Sequence, residues 1–452
     1  MNLSTQEATL STELAGYFAG YADAELPQRH LHEMNRLLID YLGVALAGSR
    51  TDSGRIAGAF AIEQGGTPQA TIIGRGERTT AANAAFANAI AEHSIELDDV
   101  DVEALFHYGP PIMSTALAVG QAVGASGPRT LAAALAGCEM MNRLSRAANP
   151  SLRNRGFHTT PTTGVFGATV TAGVLLKLDA AQLVNALGLA GAQSSGLMEM
   201  YGTSMQKRFN PGPAARNGVT AAYLAGLGFT GADTIFDGVR GFAAAFTDEF
   251  DASKLTEGLG SDIPVIVEYK PYSAARPIHN AVDCALLIRN GDGVAISDIQ
   301  DVVVYRHPTW ADYHVINEPR TYHEAQVSLP YSVAVAFADG AALFDQYSND
   351  RIRDDAAVMG LCRRVRIEHD PSLARGVSCH MVVTTTDGVR HEATVDYAKG
   401  SAENPLSDDE LLGKFRMLAA TALPGEKIEA LADRARGIVD VEDINSLLEL
   451  SY

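Results

Sequence analysis

The sequence predicts a mainly α protein: a large all-helical domain built from both chain ends, with a smaller α+β domain inserted near its C-terminal end. Three observations predict it. From Glu25 to about Gly260 apolar residues recur at helical spacing, in stretches rich in Ala, Gly and Thr whose small side chains let helices approach closely. Short β-branched runs begin only near Ile263. After Asn404-Pro405 the helical pattern returns in DDELLGKFRMLAATAL and EKIEALADRARGI. The helical domain is therefore placed at 1–264 and 403–452, and the inserted domain at 265–402.

Taken in order, HLHEMNRLLIDYLGVALAG, TTAANAAFANAIAEHS, MSTALAVGQAVGA and TPTTGVFGATVTAGVLLKL read as helices. Capping-box patterns predict helix starts at Asp179-Ala-Ala-Gln182, Thr230-Gly-Ala-Asp233 and Ser407-Asp-Asp-Glu410. In the insert, PVIVEY, DVVVYRHP and RVRIEHD read as strands. SCHMVVTTTDGVRHEATVDY reads as a hairpin in which Asp387-Gly388 supplies the positive φ angles of a tight turn. ARPIHNAVDCALLIR and LPYSVAVAFADGAALF are helices interleaved with these strands.

Composition narrows the function. The 452 residues suffice for two or three domains, and 46% apolar with 20% charged residues describes a soluble globular chain. With 35 Lys+Arg against 54 Asp+Glu the net charge is -19, which disfavours nucleic acid and anionic membrane surfaces as partners. A small anionic substrate then requires basic residues gathered in a pocket. Cys138, Cys284, Cys362 and Cys379 form no CxxC pair and suit neither zinc nor an iron–sulfur cluster; reduced, buried thiols in a cytoplasmic protein are expected. The N-terminal stretch has no secretory pattern, and no run of ~18 apolar residues predicts a membrane span.

Four places set polar residues beside Gly and Pro in apolar surroundings. Glu96-Leu-Asp98-Asp99-Val-Asp101 precedes Phe106-His107-Tyr108-Gly109; it reads either as an anchor for a histidine or substrate hydroxyl, or as a solvated acidic turn. His158 lies in Arg155-Gly-Phe-His158-Thr-Thr-Pro161, just before a helix, where donors converge on an anion; a satisfied core histidine is the other reading. Lys207 sits in a basic, glycine-bounded loop opening a helix, a carboxylate clamp or a surface loop. Lys270, Tyr272, Arg276 and His279 fall within ten residues at the domain boundary, where ligand clefts are common. No HxxxH or HExxH predicts a metal, no GxSxG a nucleophile elbow, and no GxGxxG after a strand a dinucleotide. Together the four describe one cationic pocket, and these residue types favour proton abstraction next to a carboxylate.

In order and spacing, RLLIDYLGVALAG, ANAAFANAIAEHSIELDDV, GFHTTPTTGVFGA, the Lys207 loop with PAARNG, DGVRGFAAAF, KPYSAARPIHNAVD, EAQVSLPYSVAVAFADG and YAKGSAENPLSDDELLGKF resemble the MmgE/PrpD family across nearly the whole chain. The resemblance implies a helical body, an α+β lid, a homodimer, no cofactor, and a small polycarboxylate bound between lid and body. It places catalytic roles on His107, His158, Lys207 and His279. Glu96, Asp98, Asp99, Lys270, Arg276 and Tyr322 are the implied substrate-binding residues. The implied activity is a lyase of the 2-methylcitrate dehydratase or cis-aconitate decarboxylase kind. An epimerase of a dicarboxylate such as iminodisuccinate is the alternative, and a non-catalytic polycarboxylate-binding dimer the second alternative. The chain departs from the family pattern at Glu96, Val100, Tyr108, Asn210 and Ala274-Ala275, all beside the presumed pocket.

Overall fold

A computed structural model describes residues 9–200, 204–261 and 263–452. The chain is mainly helical, with one two-stranded and one four-stranded sheet among the described residues. Asp179 and Ser407 form the expected capping boxes with Gln182 and Glu410. Thr230 starts no helix: residues 231–241 run as turns. That segment crosses the helix Ala180–Gly191 so closely that a Cβ at Gly188 would meet the Ala232 backbone, and Asn185 Oδ1 takes the Gly231 amide.

The helix Thr159–Leu175 is buried along its whole length. It packs against Gly127–Ala148 and Pro211–Gly226 through small residues. A methyl group at Gly137 would run into Thr171 Oγ1 and the Gly167 carbonyl, so backbone proximity is what the Ala/Gly-rich sequence encodes. This apolar core runs from Leu14 to Tyr269 and resumes from Leu406 to Leu448. A second core runs from Ala274 to Val395.

β1 (Ala70–Thr71) and β2 (Arg78–Thr79) form a short antiparallel pair that the sequence reading does not include. β3 (Ile299–Arg306), β4 (Val365–His369), β5 (Cys379–Thr385) and β6 (Arg390–Val395) build a sheet ordered β4-β3-β5-β6. The β3–β4 pair is parallel and the other two are antiparallel. At the β5–β6 turn only Gly388 has positive φ (85°); Asp387 does not, and its carboxylate instead accepts from Thr385 Oγ1 and the Val389 amide. PVIVEY is not a strand: it passes the acidic turn and makes one bridge, Val100 to Glu268. No helix among the described residues is long and apolar enough to cross a membrane.

Candidate active site

The helix Ala81–Glu92 ends in a turn that dives inward: every residue from Glu92 to Asp101 is buried. The solvated-turn reading is thereby excluded. Glu96 and Leu105 hold left-handed backbone, φ 59° and 65°, conformations that a non-glycine residue keeps only where its surroundings dictate them. From behind, Lys414 of the C-terminal helix Asp408–Ala419 donates to Asp40 Oδ1 and to the Leu97 carbonyl, both at 2.6 Å.

Asp98 is the hub. Its Oδ2 receives His93 Nδ1 at 2.6 Å and faces His107 Nδ1 at 3.1 Å, while Oδ1 takes Lys270 Nζ at 3.2 Å. Burial pushes this carboxyl up, but His107, Lys270 and His93 together hold it well below the ordinary carboxylate value. His107 Nδ1–H also donates to the Asp99 carbonyl at 2.5 Å, leaving Nε2 with its lone pair. Burial lowers His107 to about 3 against the pull of Asp98, so the ring is neutral at pH 7. Asp99 is wholly buried behind this wall, accepting the Tyr108 and Gly109 amides at 2.7 Å each. Burial and the neighbouring Asp98 push it up to about 8.

His158 caps the helix Thr159–Leu175. With the Asn210 amide nitrogen donating to its Nδ1 at 3.0 Å, the proton of the neutral ring belongs on Nε2. Burial, then His93, His107 and Arg153, keep its pKa well below the usual value. His107 and His158 thus present opposite tautomers, one a base and one a donor. Lys207 Nζ contacts both Glu96 oxygens, Oε2 at 2.6 Å, and Arg208 Nη1 donates to the same Oε2 at 2.8 Å. Burial, with Arg208 and Lys270 nearby, draws Lys207 well below the ordinary lysine value. Arg276 Nε donates to Glu268 Oε2 at 2.8 Å.

These groups meet in one cavity of about 140 Å³ lined by Glu96, His107, His158, Lys207, Lys270 and Arg276, with Asp101, Arg153, Trp310 and His314 completing its polar and aromatic wall. That is far below the roughly 300–1,000 Å³ of pockets for drug-sized ligands and suits a small metabolite. His93, Asp98 and His107 also bring ligand atoms within 4.8 Å of one another, the spacing of a possible metal group; the 2.6 and 3.1 Å separations are hydrogen-bond lengths.

Models of the MmgE/PrpD N-terminal domain and MmgE/PrpD C-terminal domain match residues 12–255 and 272–436. The chain belongs to the MmgE/PrpD family. It is 26% identical to human (Homo sapiens) cis-aconitate decarboxylase, over 100% of this chain and 95% of that protein. It is 25% identical to cis-aconitate decarboxylase of Aspergillus terreus (strain NIH 2624 / FGSC A1156), over 99% and 96%. It is also 25% identical to the cis-aconitate decarboxylase-like protein oryM of Aspergillus oryzae (strain ATCC 42149 / RIB 40), over 99% and 98%.

In this MmgE/PrpD chain, six of the ten expected site residues line the cavity and four do not. Asp98 and Asp99 lie beneath the wall and act through the histidine and the backbone above them. His279 begins the helix His279–Asp292 and turns into the second core: Nε2 donates to the Ala274 carbonyl at 3.0 Å and the ring packs on Tyr272. Tyr322 lies against the His323 ring outside the cavity, because its short helix turns His323 and Gln326 inward instead. Sequence reasoning missed His93, Arg153, Arg208, Glu268, Trp310 and His314. His93 had a signal, a histidine at the helix end five residues before Asp98. So had HPTWADYH, with the chain's single Trp between two histidines.

Proposed function

We infer that this chain is a lyase acting on a small polycarboxylate, with decarboxylation of a cis-aconitate-like tricarboxylate as the leading reaction. The observation that carries this is the contrasting partners of two imidazoles in one cation-lined cavity, a carbonyl on His107 Nδ1 and an amide nitrogen on His158 Nδ1, which set opposite tautomers. When the bond to a carboxylate breaks, carbon dioxide leaves and its electron pair passes into the neighbouring unsaturated carboxylate. Lys207 and Lys270 meet that charge with fixed donors, each well-placed donor supplying about 3 kcal/mol. His158 Nε2–H then gives a proton to carbon, and the imidazolate left behind takes a proton back from water as the product leaves. The relatives named cis-aconitate decarboxylase support this choice. In a dehydratase the same parts serve differently: His107 takes the α-proton and His158 protonates the departing hydroxyl.

Epimerisation of a dicarboxylate is the second reading, favoured by the same free base and protonated donor, which are what removal and return of one α-proton require. Proton NMR in heavy water with cis-aconitate, 2-methylcitrate and iminodisuccinate tests both. Carbon dioxide release from cis-aconitate with one deuteron in the product is the expected result. Olefin formation from 2-methylcitrate moves the assignment to dehydratase, and α-exchange with inversion of iminodisuccinate moves it to epimerase. Unchanged spectra with all three overturn the enzymatic reading.

A further inference from the structure

Almost every cation on the cavity wall is already neutralised. Lys207 faces Glu96, Lys270 faces Asp98, and Arg276 faces Glu268. Arg153 is the exception: among the described residues its guanidinium has no hydrogen-bond or ion-pair partner, although it is half-buried and lines the cavity. Two further groups on the same wall are unsatisfied. Arg276 is 8% exposed and its Nη1 is buried without an acceptor. His314 Nδ1 is likewise buried and unpartnered. Native proteins pair such atoms unless a ligand or water supplies the partner.

The backbone around them is held in place. His314 sits at φ 65°, a conformation adopted against local preference, and its ring stacks on Trp310 at 6.0 Å. The buried Arg306, last residue of β3, donates to the carbonyls of Trp310, Tyr313 and Pro277 at 2.7, 3.0 and 2.8 Å. The positive charge of Arg153 reaches both His158 and His314, lowering both rings further below the usual histidine value after burial has done most of it.

Resting on the reading of a polycarboxylate substrate, we propose that Arg153, Arg276 Nη1 and His314 form a second carboxylate subsite, distinct from the Lys207–Lys270 end, that selects substrates by their far carboxylate. Arg153 is the specificity-determining member, because it alone brings an uncompensated charge. A guanidinium matches a carboxylate through two parallel donors, and Trp310 shields one side of the pair from water.

The test is calorimetric titration with tricarballylate, an unreactive tricarboxylate, and with its terminal monoamide. Wild type is expected to bind tricarballylate more tightly than the monoamide. Arg153→Met should weaken tricarballylate by about 10- to 100-fold, the size of a charge-assisted hydrogen-bonded pair. It should also erase the difference between the two ligands, a loss of discrimination that a merely structural role would not produce. Arg153→Lys should recover part of the affinity. Unchanged tricarballylate affinity in Arg153→Met, or full discrimination persisting in it, overturns the subsite while leaving the polycarboxylate reading standing. Wild type binding neither tricarballylate, cis-aconitate nor succinate overturns that reading and the subsite with it.

Discussion

The two ends of the cavity are built on different principles. At the inner end the cations and carboxylates of the wall pair with one another: Asp98 holds two imidazoles and Lys270, and Glu96 holds Lys207 and Arg208, while His93 Nε2 stays buried without a partner. These groups come mostly from one stretch of the helical body, residues 93–109, braced by Lys414 from the far end of the chain. At the outer end, Arg153 meets Arg276, Trp310 and His314 from beyond residue 270, and donors are left over. Ion pairs of this kind fix tautomers and orient nitrogens before any ligand arrives, which is what chemistry needs. An underpaired site stores its attraction for the ligand itself, which is what recognition needs.

The sharpest way to break this comparison is to remove the inner groups. His158→Ala or Lys207→Ala should each lower turnover by roughly 10²- to 10⁴-fold, the range for a lost general acid or base. Melting temperature should scarcely move, since Glu96 keeps Arg208 when Lys207 is gone and Asn210 keeps its contact to Met200 when His158 is gone. Steady-state rates and thermal melts of both variants check this. Near-wild-type rates would detach those two residues from the chemistry.

The inner end was legible in the sequence because its residues lie beside Gly and Pro: His107 before Gly109-Pro110, His158 after Gly156, Lys207 before Pro211. The helical body was legible for a similar reason, as caps at Asp179 and Ser407 and small-residue stripes are local signals. What was not legible depends on long-range partners. Whether Glu96 through Asp101 faced water or the core turned on Lys414, Lys270 and Arg208, each more than 100 residues away in sequence. His279 looked like a site residue by its neighbours, yet the Ala274 carbonyl takes its Nε2. The outer wall was invisible because Trp310 and His314 owe their place to Arg306 reaching across to Pro277, and no periodicity reports such a bond. The C-terminal family model runs on to residue 436, past Leu406 where the chain rejoins the first core, so family boundaries and packing boundaries differ.

A second measurement sharpens the claim that the inner end is preset. Burial holds His93 near 4 and His107 near 3, so both should stay neutral through pH 5, where an ordinary histidine is protonated. For groups held down in this way the unfolded chain takes up protons first. Their contribution to stability is complete above about pH 6.5 and is lost as pH falls through their folded values. Asp99, pushed up to about 8, has the opposite sign: its contribution is complete below about pH 4 and is lost as pH rises through 8. Global stability therefore mixes opposing slopes, and the clean observable is each ring. Long-range proton–nitrogen NMR between pH 8 and 5 should show Nδ1–H on His93 and His107, Nε2–H on His158, and no titration of any of the three. A ring titrating near 6.5, or His158 protonated on Nδ1, would mean that the inner end is not fixed in advance.

The smallest effect on chemistry should come from the device that holds the outer wall. Arg306 is 2% exposed, is not among the residues lining the cavity, and spends its guanidinium on three carbonyls. Arg306→Met keeps much of the side-chain volume while leaving those carbonyls unpaired, at about 1–3 kcal/mol for a buried group without its partner. If the two ends divide recognition from chemistry, KM should rise roughly tenfold while kcat stays within about twofold, the pattern of lost uniform binding. Amide hydrogen exchange across residues 308–314 should quicken, with no change at 93–109. An equal fall in kcat and kcat/KM would instead tie the outer wall to the transition state, because only an interaction made there lowers both together.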